Sequence, residues 1–209
     1  METFILALDQ GTSSTRSLLV DRQGNIVAMA QQELPQIYPQ AAWVEHDAHL
    51  IWQHQLSTIK AVIEQAKISV KQISAIGITN QRETVVVWDR ETGQPVHHAI
   101  VWQDRRTADR CAVLKKEGLE KLFTDRTGLL LDPYFSGSKI GWALKHWPQL
   151  REAGEVVVQA LPGAPCRRPK ITPRSSSGAS SDGISLNRPT PAATTTSQPI
   201  ATVQRCFNT

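Results

Sequence analysis

Short apolar runs alternate with polar turns over the first thirty residues of the chain. Residues 4–8, 17–20 and 26–30 are largely apolar, and stretches rich in Gly, Ser, Thr, Asn and Gln separate them. Apolar runs of four to eight residues bounded by turn residues are typical of buried strands. We therefore predict three strands joined by short turns, an antiparallel meander at the start of a mixed sheet.

A helical period replaces this alternation after residue 47. Asp47 is a plausible N-cap, and residues 73–79 then return to an apolar run that predicts another strand. A helix between two strands indicates an α/β fold. Apolar positions spaced 4, 3, 4 and 3 predict one helix face against the sheet, formed by Trp52, Leu56, Ile59, Ile63 and Ala66.

The same pattern continues, with shorter elements, to about residue 155. Residues 85–88 and 97–101 predict strands, and residues 105–116 predict a helix capped by Asp104. Residues 136–147 predict an amphipathic helix that Pro148 ends. Residues 155–158 look like the start of one more strand.

The character of the chain changes after residue 155. Residues 1–155 hold 17 Lys and Arg against 18 Asp and Glu, whereas residues 156–209 hold six basic residues against one Asp, seven of the twelve prolines and fourteen Ser and Thr. Such a segment has too little apolar surface to offset its ordering entropy. We predict two regions, an ordered domain over 1–155 and a disordered tail over 156–209, and the basic pI belongs to the tail.

Composition also restricts the class of protein. Three cysteines, Cys111, Cys166 and Cys206, show neither metal spacing nor a disulfide framework, which fits a reducing compartment. No apolar run approaches the ~18 residues that a membrane helix needs, and no signal pattern opens the chain. We expect a cytoplasmic protein without a membrane partner. His46, His49 and His54 have loose spacing, so solvent-facing or capping roles are favoured over metal binding.

The first predicted turn carries candidate chemistry. Asp9 ends a strand, Gly11 permits a close backbone approach, and Thr12, Ser13 and Ser14 add hydroxyls before Arg16 adds a positive charge. A phosphate needs convergent donors and positive charge, and its magnesium ion prefers oxygen ligands. These residues alone leave two readings equally open, a phosphate loop or an ordinary hairpin with a polar turn.

Four segments carry a resemblance to a known family. Residues 9–16 resemble the first phosphate loop of the FGGY carbohydrate kinases, which belong to the actin, Hsp70 and hexokinase superfamily. Residues 77–84, 101–107 and 132–136 resemble the glycerol kinases within that family. The resemblance covers residues 1–155 and implies an α/β, ribonuclease H-like first lobe with a mixed sheet and flanking helices, incomplete, followed by the disordered tail.

The resemblance also implies roles for individual residues. Asp9 would help to hold a hydrated Mg²⁺, and the turn with Arg16 would contact the β and γ phosphates of ATP. Glycerol would be held by Arg82, Glu83, Trp102 and Tyr134. Taken without the family, Arg82 and Glu83 would be read as a surface pair and Tyr134 as a half-buried loop residue. The phosphate contacts fall on Gly11, Thr12, Ser13, Ser14 and Arg16.

The implied activity is transfer of a phosphoryl group from MgATP to glycerol, giving sn-glycerol 3-phosphate. The second lobe, which supplies the catalytic base and most of the ATP pocket in the family, cannot be found in this chain, so we expect it alone to have little or no activity. Full-length relatives are oligomeric, and nothing indicates nucleic-acid binding. For the tail, one hypothesis is a frame-shifted translation, and its rival is a genuine basic tail that binds an acidic partner. For the function, the alternatives to a kinase are a fragment that binds glycerol or phosphate without turnover, and a partner-binding protein with a basic tail.

Overall fold

The computed structural model describes residues 2–89, 92–148 and 150, and the backbone of residues 156–159. In its largest sheet, strands β1 (Phe4–Gln10), β2 (Ser14–Val20) and β3 (Ile26–Glu33) form the predicted antiparallel meander, and β5 (Ile73–Thr79) pairs parallel with β1. The strand order of this sheet is β3–β2–β1–β5. Among the described residues this confirms the mixed sheet.

The long helix α1 (Ala48–Ala66) packs on one face of this sheet. Asp47 caps it as predicted, because its carboxylate accepts from the N–H groups of His49 at 2.8 Å and Leu50 at 3.3 Å. The predicted apolar face is wrong in part, since Trp52 is 48% exposed and Leu56 and Ile63 are only partly buried. The residues that α1 buries are Gln55, Thr58, Ile59 and Val62.

Polar side chains lie in this buried layer because they bond one another. The hydroxyls of Ser17 on β2 and Thr58 on α1 are 2.9 Å apart, and Gln55 Nε2 donates to Ser17 Oγ at 2.9 Å. A buried polar group that finds a partner avoids most of the desolvation cost. Helix α1 therefore turns a partly polar face toward the sheet, in place of the fully apolar face that the spacing predicted.

Two smaller sheets, three α-helices and a short 3₁₀ helix (Val70–Gln72) make up most of the rest of the described part. The strands are β4 (Glu45–His46) with β7 (Ala99–Ile100), and β6 (Val86–Asp89) with β8 (Val156–Gln159), each pair antiparallel. The strand expected from residue 155 is thus found, and it occupies the first four residues of the stretch 156–209 that was predicted as a disordered tail. The remaining residues of that stretch, 160–209, lie outside the described residues. The helices are α2 (Ala108–Lys116), α3 (Glu120–Thr127) and α4 (Ser136–His146).

A second apolar core lies where α4 meets β6 and β7. Its buried members are Val85, Val87, Ile100, Ala143, Trp147 and Leu150. Trp147 follows the last helical residue of α4, directly before Pro148. On α4 this core takes in Ala143, in the second half of the helix, whereas Ser136 lies at the opposite end of the helix, where it bonds Glu83.

Asp104 does not cap a helix at residue 105, as the sequence had suggested. The helix begins three residues later, at Ala108, with Thr107 in the cap position. Asp104 is buried, and its carboxylate accepts from Val44 N at 2.7 Å and from Arg106 N at 2.8 Å. The carboxylate that the local pattern predicted as a helix cap thus bonds the backbone of Val44, sixty positions earlier in the chain.

Candidate functional site

The first loop is a tight connection between β1 and β2. Gly11 N donates to Ser14 O at 3.0 Å, and a Cβ at position 11 would lie 3.0 Å from that same oxygen. Few real side chains make so close a contact, so a larger residue at position 11 would require the Ser14 carbonyl to shift, and glycine avoids this. Thr12 and Ser13 lie in the connection itself, while Ser14 is already the buried first residue of β2.

Asp9 and Arg16 face each other across β1 and β2. They are register partners, and Arg16 Nη2 lies 2.7 Å from Asp9 Oδ2. Their side chains are 32% and 42% exposed respectively, so both reach the mouth of the loop. The sequence assigned one to a metal and the other to phosphate, and the structure joins the two side chains in an ion pair.

The residues present fit a hydrated magnesium ion better than a dedicated metal cage. The described residues form no group of three or more His, Cys, Asp or Glu side chains that could hold a metal. Mg²⁺ commonly keeps several waters and takes one or two carboxylates together with substrate phosphates. Asp9 alone, partly exposed beside a phosphate-type loop, can provide that single carboxylate.

Gln81, just beyond β5, attaches the first loop to the rest of the site. Its Nε2 donates to Gly11 O at 3.0 Å and lies 3.2 Å from His46 Nδ1, and its Oε1 accepts from Thr84 Oγ1 at 3.1 Å. Because a carbonyl can only accept, the Gln81 amide nitrogen faces Gly11, and His46 Nδ1 is therefore the acceptor of its second hydrogen. His46 is neutral in this arrangement.

Burial also favours the neutral form of His46. The side chain is fully buried, and burial lowers the pKa of His46 from 6.5 to about 4. His46 Nε2 is buried without a hydrogen-bond partner among the described residues. The solvent-facing role expected for this histidine is therefore wrong, and the residue is a buried acceptor behind the loop.

Trp102 connects the first loop to the predicted polyol side. Its indole Nε1 donates to Thr12 Oγ1 at 2.8 Å, and its backbone N–H donates to Thr84 Oγ1 at 3.3 Å. The Trp102 and Tyr134 rings meet edge to face, with centroids 5.5 Å apart. Since the indole N–H is used within the protein, Trp102 can offer a ligand only its apolar ring.

Glu83 lies opposite the start of α4 in an unusual backbone conformation. Its φ of 63° is left-handed, which is uncommon outside glycine and marks a position where other contacts outweigh local strain. Its Oε2 accepts from Ser136 N at 2.8 Å and from the Ser136 hydroxyl. A carboxylate at a helix N-terminus is also favoured by the helix dipole.

Arg82 is next to Glu83 but does not share these contacts. It is exposed, and no hydrogen bond or ion pair joins it to another described residue. The predicted pair is therefore split, because Glu83 is fixed by α4 and Arg82 reaches solvent at the same end of the sheet.

Lys139 supports the loop that carries Tyr134. It is fully buried, and its ammonium donates to Pro133 O and, at 2.7 Å, to Tyr134 O. Burial lowers the pKa of Lys139 to about 8, although the nearby carboxylates of Asp104 and Glu83 oppose the shift. Tyr134, 36% exposed, thus has a fixed backbone and a ring that reaches the surface.

Hydrogen bonds and ring contacts therefore join Gly11, Thr12, Trp102 and Tyr134 in one continuous arrangement, with Glu83 beside it. Ser13 and Arg82 are at its margins. Sequence reasoning missed the residues that support the site. Two of them left a signal in the sequence: Gln81 is a polar residue shortly after β5, and Lys139 lies three residues after Ser136 on α4. The missed residues are His46, Gln81, Lys139 and Ser136.

Comparisons with known proteins bear on the family of the chain. Residues 4–160 match the FGGY family of carbohydrate kinases, N-terminal domain. The chain belongs to this family, and the resemblance found in its sequence is confirmed. None of the described helices is both long enough and apolar enough to cross a membrane.

The most informative relatives are glycerol kinases. The chain is 59% identical to the glycerol kinase of Brucella ovis over 155 residues, which are 74% of this chain and 31% of that protein. It is 56% identical to the glycerol kinase of Acidovorax ebreus over 153 residues, 73% and 31% of the two chains. The chain therefore spans about a third of the length of these relatives.

Solved structures place the fold among sugar kinases of the actin and hexokinase-like type. The Plasmodium falciparum glycerol kinase with ADP matches with a TM-score of 0.69 and 32% identity, over 76% of this chain and 32% of that one. A gluconate kinase from Lactobacillus acidophilus matches with a TM-score of 0.68 and 22% identity, over 75% and 31%, which shows the fold alone.

Proposed function

We propose that this chain carries the polyol side and the first phosphate loop of a MgATP-dependent glycerol kinase, and that it does not turn over by itself. The observation that carries the proposal is the contact of Trp102 with both Thr12 and Tyr134. This contact puts the proposed phosphate loop and the proposed glycerol wall within one side chain of each other. The names of the relatives supply glycerol as the substrate.

Glycerol recognition would fall to Glu83, Arg82, Trp102 and Tyr134. Ser136 donates to Glu83 Oε2, so the other carboxylate oxygen, Glu83 Oε1, would accept a hydrogen bond from a substrate hydroxyl. Arg82, exposed beside it, would donate to a substrate oxygen. Trp102 and Tyr134 would close on the carbon backbone of the polyol with their rings.

The nucleotide side would use the first loop. Gly11, Thr12, Ser13 and Ser14 would contact the β and γ phosphates, and Arg16 would exchange its ion pair with Asp9 for the phosphate charge. Asp9 would then be free to bind the waters of Mg²⁺, which, when bound, neutralises the charge of the transferred phosphoryl group. Positioning and charge neutralisation account for most catalysis of this type.

Turnover would need a base that removes the proton of the attacking hydroxyl. We assign that role to no described residue, and propose that it belongs to the part of the relatives that this chain does not span. A positioned general base contributes about 10²–10⁴-fold, and the second side of the cleft adds to that loss.

A coupled assay for ADP, with the full chain, MgATP and glycerol, tests the absence of turnover. We expect no rate above that of a sample without glycerol, and turnover near that of an intact glycerol kinase would refute the proposal. Calorimetry with glycerol tests the half-site. Heat that disappears in Glu83→Gln but persists in the exposed control Glu64→Gln would favour the alternative, a fragment that binds glycerol without phosphorylating it.

A further inference from the structure

The first turn of α4 contacts both of the segments that carry proposed polyol residues. Ser136, its first residue, donates its backbone N–H and its hydroxyl to Glu83 Oε2. Lys139, three positions later, donates through its ammonium to Pro133 O and Tyr134 O. Residues three apart are neighbours on a helix surface. One helical turn therefore contacts Glu83, from the segment after β5, and Tyr134, from the loop before α4.

A lysine at position 139 is unfavourable for stability. Its side chain is the largest of the fully buried ones in the described part, and lysine is almost never fully buried unless its charge is paired. The helix dipole at this end of α4 also favours anions and not cations. A methionine would fill a similar volume without this cost. Only a charged donor, however, supplies two strong hydrogen bonds to the carbonyls before α4.

The backbone of Tyr134 is held on both sides. Tyr134 N donates to Asp132 Oδ1 at 2.8 Å, while Tyr134 O accepts from Lys139 at 2.7 Å. The Tyr134 ring meets the rings of Trp102 and Phe135 edge to face, with centroids 5.5 and 5.0 Å away. The ring therefore has a defined place beside Trp102 before any ligand binds.

We propose that Lys139, together with Ser136, is a positioning residue of the polyol site, and that the two hold Tyr134 and Glu83 at a set separation before the polyol binds. The inference rests on the proposed function for the roles of Tyr134 and Glu83. Lys139 and Ser136 act through these two residues and not by touching the polyol. Groups that are already ordered lose less entropy on binding, so a preformed site binds its ligand more tightly.

The chain contains only two tyrosines, which makes Tyr134 directly observable. The other, Tyr38, is 66% exposed and bonds Gln36, so it serves as an internal reference. NMR of the full chain with isotopically labelled tyrosine rings should give two separate signals, because the ring currents of Trp102 and Phe135 shift that of Tyr134. The variant Tyr38→Phe assigns the two signals.

Two matched substitutions on α4 test the positioning. Lys139→Met removes the ammonium and keeps an unbranched side chain, and we expect the Tyr134 signal to move most of the way to that of free tyrosine while Tyr38 is unchanged. Lys145→Met, at an exposed residue in the last turn of the same helix, should change neither signal. The proposal is overturned by a folded Lys139→Met protein whose Tyr134 signal is unchanged, or whose two tyrosine signals change alike.

A pH titration of the wild-type chain decides the case in which Lys139→Met does not fold. The groups that face Lys139 are three carboxylates and a thiol, those of Asp104, Glu83, Asp132 and Cys111. The pKa of Lys139 is about 8, whereas burial raises the pKa of Cys111 above 9.0. Loss of the ammonium charge weakens its hydrogen bonds, so the Tyr134 signal should move with a midpoint near pH 8 while Tyr38 is constant. A Tyr134 signal that is also constant from about pH 7 to 9 would overturn the proposal.

These measurements need no ligand, so their failure is distinct from the failure of the proposed function. Glycerol added to the labelled wild-type chain tests that function, and an unchanged Tyr134 signal would count against the polyol role and not against the positioning of Tyr134. Where the wild type binds glycerol, Lys139→Met should weaken the binding by at least about tenfold, and Lys145→Met should not. Equal affinity in Lys139→Met and the wild type would overturn the positioning role.

Discussion

His46 makes the stability of this protein depend on pH in a window that can be calculated. The side chain is fully buried behind the first loop, its Nδ1 accepts from Gln81, and its Nε2 has no partner among the described residues. Burial lowers the pKa of His46 from 6.5 to about 4. Protonation therefore charges a group that the fold does not solvate, and it places a hydrogen where the Gln81 amide already donates.

The sign follows from the direction of the shift. The folded state prefers neutral His46, so the stabilisation is fully present above pH 6.5 and is lost as the pH falls from 6.5 toward 4. Integration of the linkage relation gives a loss of about 2 kcal/mol at pH 5 relative to pH 7.5, and about 3 kcal/mol once both states are protonated. With total stabilities of about 5–15 kcal/mol, that is a large share.

The assay is urea unfolding at several pH values between 7.5 and 5. His46→Asn keeps an acceptor near the position of Nδ1 but does not titrate, so its unfolding free energy should fall by about 2 kcal/mol less than that of the wild type over this range. His49→Asn, on the exposed side of α1, should keep the wild-type slope. The reasoning is wrong if His46→Asn and the wild type lose stability in parallel. The pKa of Lys139 is lowered from 10.5 to about 8. Its contribution to the pH dependence of stability therefore falls between about pH 8 and 10.5, outside the range of this assay.

Two further predictions concern the supports of the site. Arg106→Lys should lower the free energy of unfolding by about 2–4 kcal/mol. A lysine cannot replace both the hydrogen bonds to Asp104 and Glu45 and the stacking on Trp43 and Trp142. Urea titration measures the change, and an equal loss in the exposed variant Arg105→Lys would contradict the prediction. Ser136→Ala should cost about 1 kcal/mol by removing one donor from Glu83. Thermal unfolding beside the exposed Ser57→Ala checks it, and indistinguishable midpoints would show that this hydrogen bond does not contribute.

The local sequence pattern predicted correctly those elements whose stabilising contacts lie close together in the sequence. The continuous apolar run 4–8 and the polar turn after it predicted β1 and the first loop, and Asp47 predicted the start of α1. In each case the neighbours in sequence are also the neighbours in space. The same reasoning failed for the face of α1, because Ser17, Gln55 and Thr58 are polar in the sequence and become core residues only through one another.

The supports of the site were not predictable for the same reason. Arg106 lies in the predicted helix 105–116 and received no role from the sequence, yet its guanidinium is buried, 3.8 Å from the Trp43 ring centroid and 4.6 Å from that of Trp142. Its carboxylate partners are Asp104 and Glu45, at 2.8 and 2.7 Å. The charge is tolerated there because two carboxylates and two aromatic rings surround it. Three of these side chains, Glu45, Trp43 and Trp142, come from distant segments, so no local spacing predicts their contact with Arg106.

The hydrogen-bond inventory of the site separates the groups that build it from those left for a ligand. Trp102 Nε1, both hydrogens of the Gln81 amide and one oxygen of Glu83 are used within the protein. Six buried side-chain atoms have no partner among the described residues, and two of them, Arg16 Nε on β2 and Asn80 Oδ1 directly after β5, lie beside the candidate site. Buried polar groups are normally satisfied by the protein or by water. These two atoms are therefore positions where a ligand could complete the bonding, next to the residues that the proposed function assigns to phosphate and polyol.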